Sequence, residues 1–322
     1  MKTKYVSDLV EDAVVTEAFF VVFKALKRSR NGAPYLALLL SDRGGQIEAR
    51  VWDDAERLGG RFAQGDFLRV KAQASSYRDS LQLNVSDLER LDPAAVDLSD
   101  FLPSSERDPE EMLRELKALT RGMGNPHLAA LLKLIWADRT LVAALTRSPA
   151  AKGMHHAYVG GLLEHTLSVA RLAKTVAAHY PDVDADLLLT GAILHDIGKV
   201  RELSCSPGFD YTTEGRLVGH LLLGLSIIEE KIRGVPRFPV GLATALKHLM
   251  ASHHGEYIFG SPKRPKTAEA LMLHAIDDLD AKLATVRELL RSAAAGGGSA
   301  YHKLLERYVF ATLAENETEA PP

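Results

Sequence analysis

The stretch Ile193-Leu194-His195-Asp196-Ile197-Gly198-Lys199 constrains this chain more than any other. Three polar groups able to bind metal or phosphate follow an apolar run. At helical spacing Leu188, Ala192 and His195 share one face, so the imidazole points the same way as a core stripe, with Asp196 beside it. Gly198 reads as a helix stop that leaves Lys199 just beyond the helix end. A neutral imidazole next to a carboxylate suits a divalent transition metal. For the dipeptide alone, a buried histidine paired with an aspartate is the simpler account.

Other positions shift that balance. His165 lies on a helical pattern among Leu162, Val169, Leu172 and Val176. Asp277 lies on another, on the face of Ala270 and Leu273, and between them come His220 and the pair His253-His254. Burying so many ionisable groups costs several kcal/mol each unless something pairs them. A metal centre accounts for all of them at once.

The order His165, His195-Asp196, Asp277 resembles the signature of the HD-domain phosphohydrolases. His220 and His253-His254 match the extra histidines of HD domains that hold two metals. The segments HHAYVGGLLEHTLSVARLA, GAILHDIGKVREL, GHLLLG and HHGEYIFGSPKRPKTAEALMLHAIDDLDAK resemble the YhaM-type 3′-to-5′ exoribonucleases over about residues 150–285. A small β-domain in front, as that family has, extends the likeness to most of the chain.

The resemblance implies a metal-dependent 3′-to-5′ exonuclease acting on single-stranded RNA, with single-stranded DNA as a further substrate, and releasing nucleoside 5′-monophosphates. It implies a first metal on His165, His195, Asp196 and Asp277. Asp196 then bridges to a second metal on His220 and His253, with His254 a further donor; which of the adjacent histidines ligates directly is left open. Two cations about 4 Å apart can clamp a phosphate and acidify a water between them. Asp196 and Lys199 are the expected catalytic residues, Lys199 neutralising charge on the phosphoryl oxygens. His156, before the first ligand helix, and Lys263 and Arg264, after the histidine pair, are candidate substrate contacts. Asp280 is expected behind a ligand. Manganese is the metal the resemblance favours, although such donors also accept iron, cobalt, nickel or zinc. Two other readings stay open: a nucleotide phosphohydrolase or cyclic-nucleotide phosphodiesterase, and a non-catalytic single-strand-binding protein with a structural metal.

Composition bounds these readings. A chain of 322 residues with 46% hydrophobic content can build two domains with real cores. A net charge of −3 supplies no global basic field, so any nucleic-acid surface must be local. Cys205 is the sole cysteine, which rules out an intrachain disulfide and fits a cytoplasmic protein. No stretch has the length and apolarity of a membrane span, so no membrane partner is expected. Homo-oligomerisation is left open.

The expected architecture is a small N-terminal β-barrel of OB-fold type over residues 1–92, then a linker and connecting helix over 93–120. An all-α HD domain follows over 121–314, and a disordered tail over 315–322. Five short strands with one helix after the third support the barrel. Phe19, Val21 and Phe23 share a face of the first strand, Phe19, Phe23 and Phe67 read as barrel core, and Asn31-Gly32 signals a hairpin. In the second domain Leu128 to Leu145 reads as one helix, and everything to about 314 is helical by period, separated by breaks with Gly or Pro, with Ala293 to Ser299 small and flexible. OB barrels bind single strands by stacking bases on aromatics within a basic groove. Tyr35, Trp52 and Tyr77 are candidate platforms, with packing an even alternative for Trp52. Lys24, Lys27, Arg28, Arg30, Arg50, Arg69 and Arg78 are candidate phosphate contacts.

Overall fold

Alternation of apolar residues in the first hundred positions builds a closed barrel. In the computed structural model, which describes residues 2–29, 31–77, 80–152, 156–204, 209–293, 299–302 and 306–310, its strands are β1 (Val14–Arg28), β2 (Pro34–Asp42), β3 (Gly45–Val51), β4 (Phe67–Tyr77) and β5 (Ser80–Leu91). They close in the order β1-β2-β3-β5-β4, with β3 and β5 parallel and the other pairs antiparallel. A short helix α1 (Ala55–Gly59) joins β3 to β4. Leu36, Leu38 and Leu40 of β2 and Ile47, Ala49 and Val51 of β3 point inward at period two, around Phe19, Leu68 and Leu83.

One strand breaks the alternation. In β1, Val21 pairs with Leu40 but Phe23 pairs with Leu39, so Val22 is an extra residue. This bulge reverses the facing of everything after it. Phe23, expected in the core beside Phe19, is therefore 45% exposed.

The stretch after β5, expected as a linker, is packed in its first part. Pro93–Ala95 and Leu98–Asp100 form 3-10 turns. The Phe101 ring meets Phe67 edge-on with centroids 4.9 Å apart, and Asp100 accepts a 2.6 Å hydrogen bond from the Tyr5 hydroxyl. By internal contacts the chain divides into two compact units, 1–104 with 205–210, and 105–204 with 211–322.

The second unit is built from α2 (Pro109–Leu119), α3 (Pro126–Ala137), α4 (Arg139–Arg147), α5 (Gly161–His179), α6 (Ala185–Leu194), α7 (Lys199–Glu202), α8 (Thr213–Val218), α9 (His220–Arg233), α10 (Val240–Ser252) and α11 (Ala268–Ala293). The expected single helix from Leu128 to Leu145 is broken at Asp138. This residue leaves helical geometry and accepts from the Leu141 N–H as the N-cap of α4. Asp184 caps α6 in the same way through the Leu187 N–H. The core joins Leu162, Leu167 and Ala170 of α5, Leu188 and Ala192 of α6, Leu249 of α10 and Leu273 of α11.

Helical periodicity does not extend to 314. Two-residue strands β6 (Leu203–Ser204) and β7 (Asp210–Tyr211) follow α7, and after α11 an antiparallel hairpin pairs β8 (Ser299–His302) with β9 (Arg307–Phe310). Residues 311–322, including the expected tail, lie outside the described residues, as do Arg30, Arg78 and His155. Among the described residues no helix is long and apolar enough to cross a membrane.

Candidate metal centre and nucleic-acid face

The ligand candidates come from five helices or their ends. His165 and Asp277 sit within α5 and α11, while His195 and His253 are the C-cap residues of α6 and α10 and His220 opens α9. Helix ends explain the placement. A helix leaves its last carbonyls without partners. The Nδ1–H of His195 donates to Ala192 O at 2.9 Å, and that of His253 to Met250 O at 2.8 Å. His254 donates from Nδ1 to Phe259 O at 3.1 Å. His165 and His220 use carboxylates instead, Asp280 Oδ2 at 2.8 Å and Glu202 Oε1 at 3.0 Å. All five imidazoles thus engage Nδ1 and turn Nε2 inward, where it can give a lone pair to a cation or, in the metal-free protein, hold a proton.

Those Nε2 atoms meet one another. The Nε2 atoms of His165 and His195 are 3.2 Å apart, as are those of His220 and His254. Asp196 stands between the two groups. Its Oδ2 faces His195 and His165 at 3.4 and 3.7 Å, and its Oδ1 faces His220 and His253 at 3.6 Å each. Asp277 Oδ1 completes the first group, 3.1 Å from His165 and 3.6 Å from His195. Two donors held about 2.1 Å from one cation at tetrahedral or octahedral angles stand about 3.0–3.4 Å apart. The observed separations lie close to that range. Asp196 Oδ1 and His253 Nε2 are buried with no hydrogen-bond partner among the described residues, a costly arrangement that a cation would relieve. The residues present therefore fit divalent metal.

Electrostatics divide the cluster. Burial opposes charge on His195, but Asp196 and Asp277 outweigh it and raise its pKa to about 10. Burial likewise opposes charge on Asp196, which Lys199 and His195 nonetheless hold well below the carboxylate range. Lys199 Nζ lies 2.6 Å from Asp196 Oδ2. His253 is lowered by burial, with only partial compensation from Asp196, and His254 falls to about 4 through burial and its histidine neighbours. Those two imidazoles are neutral near pH 7.

Glycine is required where backbones touch. A Cβ on Gly198 would lie 1.9 Å from His220 O and 2.6 Å from Gly224 N, so only glycine lets the turn after Asp196 pack against the start of α9. Gly198 has φ −65°, not the left-handed geometry of a helix stop, and Lys199 opens α7 instead of trailing α6. Gly255, at φ +80°, leaves room for the His274 ring, whose Nδ1 donates to His253 O at 2.8 Å.

The barrel has its own exposed face. Tyr35 on β2 stacks on Trp52, which follows β3, with ring centroids 4.8 Å apart and planes at 29°. Trp52 is 49% exposed and donates to Asn84 Oδ1 at 3.3 Å.

Family models match residues 162–282 as an HD domain and residues 21–91 as an OB-fold nucleic acid binding domain. The 3′-5′ exoribonuclease YhaM of Halalkalibacterium halodurans is 35% identical over 299 residues, which is 91% of this chain and 92% of that protein. This chain belongs to the YhaM 3′-5′ exoribonuclease family. The YhaM protein of Bacillus subtilis (strain 168) is also 35% identical, over 79% of this chain and 80% of its own. Among solved structures, the second OB-fold domain of replication protein A from Methanococcus maripaludis matches 30% of this chain and all of that one, at 20% identity and a TM-score of 0.24.

In this YhaM-family chain His165, His195, Asp196, His220, His253, His254, Asp277 and Lys199 come together, with His156 and Asp280 grouped beside His165. Lys263 is exposed, its carbonyl accepting from Ser261 Oγ, and Arg264 pairs with Glu256 at 2.6 Å. His156 lies behind the ligands, its Nδ1 2.7 Å from the Tyr158 hydroxyl and its Nε2 3.6 Å from Asp280. On the barrel, Lys24 donates to the carbonyls of Gly59 and Phe62, Arg28 to Gly32 O, and Arg50 and Arg69 pair with Glu48 and Glu89. Lys27 remains exposed. Glu202 and His274 escaped sequence reasoning. Glu202 sits eighteen residues before the histidine it orients, on a different helix, and no local pattern links them.

Proposed function

We propose that this protein is a metal-dependent 3′-to-5′ exonuclease that shortens single-stranded RNA, and single-stranded DNA more slowly, releasing nucleoside 5′-monophosphates. The observation that carries it is Asp196, with one carboxylate oxygen toward His165 and His195 and the other toward His220 and His253. Such a carboxylate suits two divalent ions, with manganese the favoured metal. When bound, they hold phosphate oxygens and acidify a water.

The chain's own residues do the rest. Asp280 and Glu202 hold His165 and His220 in the ligating tautomer. Lys199, cationic beside Asp196, offsets charge that builds on the phosphoryl oxygens. Attack at phosphorus expels the oxygen opposite, so a site that grips the terminal nucleotide expels the 3′-oxygen of the shortened chain. The released piece keeps its phosphate on the 5′ carbon. Nothing in this route needs the 2′-hydroxyl, hence the DNA activity. The Tyr35–Trp52 stack gives the barrel a plane on which bases of the single strand lie. Relatives named 3′-5′ exoribonuclease across most of both chains support the same reading.

The test is a 5′-labelled single-stranded RNA incubated with the protein and manganese. The expected result is a ladder shortening from the 3′ end with 5′-monophosphates accumulating. Intact RNA beside hydrolysed nucleoside triphosphates or cyclic nucleotides would replace this reading with a small-nucleotide hydrolase.

A further inference from the structure

The cavity lined by His165, Asp196, Lys199, His253, His254 and Asp277 continues along α11 to three aromatic side chains outside the candidate ligand set, Phe259, Tyr308 and Phe310. They are 65%, 65% and 64% exposed. Single exposed apolar residues are ordinary on protein surfaces. Three exposed aromatic residues lining the same cavity as Asp196 and Lys199 are not.

Each is held in place. Phe259 ends a 3-10 turn, Tyr257–Phe259, that Gly260 closes at φ +80°. Its carbonyl accepts from His254 Nδ1, so the residue that orients a ligand also presents its ring to the cavity. Tyr308 and Phe310 are two positions apart on β9 and so share a face. Tyr301, the cross-strand partner of Tyr308, meets its ring edge-on with centroids 5.2 Å apart.

Resting on the exonuclease reading above, we infer that Phe259, Tyr308 and Phe310 form the base-holding wall of the hydrolytic cavity. The last nucleotides of a single strand stack there while the scissile phosphate faces Asp196 and Lys199. Every base has a π face, so stacking positions the strand without selecting sequence. The occupant must reach the phosphate-handling groups through the same cavity, which a nucleic-acid strand does. A second copy of the chain seated on these rings would shut the cavity. The assignment also gives the C-terminal hairpin a task that neither the ligand set nor the barrel supplies.

The experiment uses the full chain with Tyr308→Leu and Phe310→Leu, singly and together. Leucine keeps apolar volume and removes the π face, and circular dichroism with bound-metal analysis verifies the fold. Steady-state kinetics on a short single-stranded RNA should show KM raised about tenfold or more in the double variant, with kcat changed far less. Tyr308→Phe should restore the wild-type KM. A 2-aminopurine at the 3′ end, quenched on binding the wild type in calcium without turnover, should lose that quenching in the double variant. Unchanged KM and unchanged quenching overturn the inference while leaving the exonuclease reading intact. A mass shift from dimer to monomer in the double variant, with KM unchanged, also overturns it, by assigning the rings to a second copy. A wild-type chain that leaves RNA untouched overturns the exonuclease reading and this inference together.

Discussion

His165 and His195 face each other through Nε2 atoms 3.2 Å apart, while each Nδ1 is engaged elsewhere. Two lone pairs at that distance repel unless a cation or a shared proton lies between them. The chain has arranged the same conflict a second time between His220 and His254. Burial makes the first conflict the costlier, and the carboxylate of Asp196 lies between the two.

Removing the group that fixes His165 should weaken the site without touching a ligand. Asp280→Ala frees Nδ1 and lets the imidazole adopt the other tautomer. Losing such a partner typically costs 10–100-fold in metal affinity or activity. Chelator competition should show that loss, and Asp280→Asn, which keeps an acceptor oxygen, should recover most of it. An Asp280→Ala protein with wild-type affinity would refute the orienting role.

Gly198→Ala tests close packing. The added carbon meets backbone, not a flexible side chain, so either the turn after Asp196 or the start of α9 must move. Overpacking of this kind costs about 1–3 kcal/mol or more. Denaturant melts should show that loss, and activity should fall further than stability because His220 shifts with the backbone. Full stability and activity would show that the contact yields more easily than the geometry implies.

The pH dependence follows from charge inside the cluster. His195 is raised from 6.5 to about 10, so its paired charge stabilises the chelator-treated protein fully below pH 6.5 and is lost as pH rises toward 10. Asp196 and Asp277 are held well below 3.8, so they stabilise above that value and lose their effect on acidification. Melting temperature of the chelator-treated protein should therefore decline between pH 6.5 and 10. Added manganese competes with protons for Nε2, so the decline should vanish in its presence. A flat profile without metal over that range would contradict the assigned pairing.

Much of the site was legible in the sequence because it depends on short spacings. Helical period alone turned His165 and Asp277 toward core stripes, and His195-Asp196 sits at the end of one. What stayed hidden depends on distance or on defects in regular structure. Glu202 reaches His220 across a helix boundary, and His274 reaches the carbonyl of His253 from α11. Phe23 looked like core because alternation cannot reveal the extra residue Val22, which only the register with β2 exposes. The β8–β9 hairpin lies past the small-residue break that ends α11, and its four-residue strands are too short for alternation to mark them.

The barrel face makes a separable prediction. Trp52→Ala removes the ring that stacks on Tyr35, and one base-stacking plane is worth roughly 1–3 kcal/mol. Affinity for a long single strand should fall about tenfold or more, while the salt dependence, set by phosphate contacts, stays the same. Unchanged affinity for the long single strand would assign Trp52 to packing.

In the proposed site two cations share the Asp196 carboxylate. Metal analysis of protein purified without chelator tests it most directly. The account predicts close to two transition ions per chain, falling to one or fewer in Asp196→Ala with helicity retained and activity lost. One ion per chain in a fully active wild type, or full activity in Asp196→Ala, would contradict it.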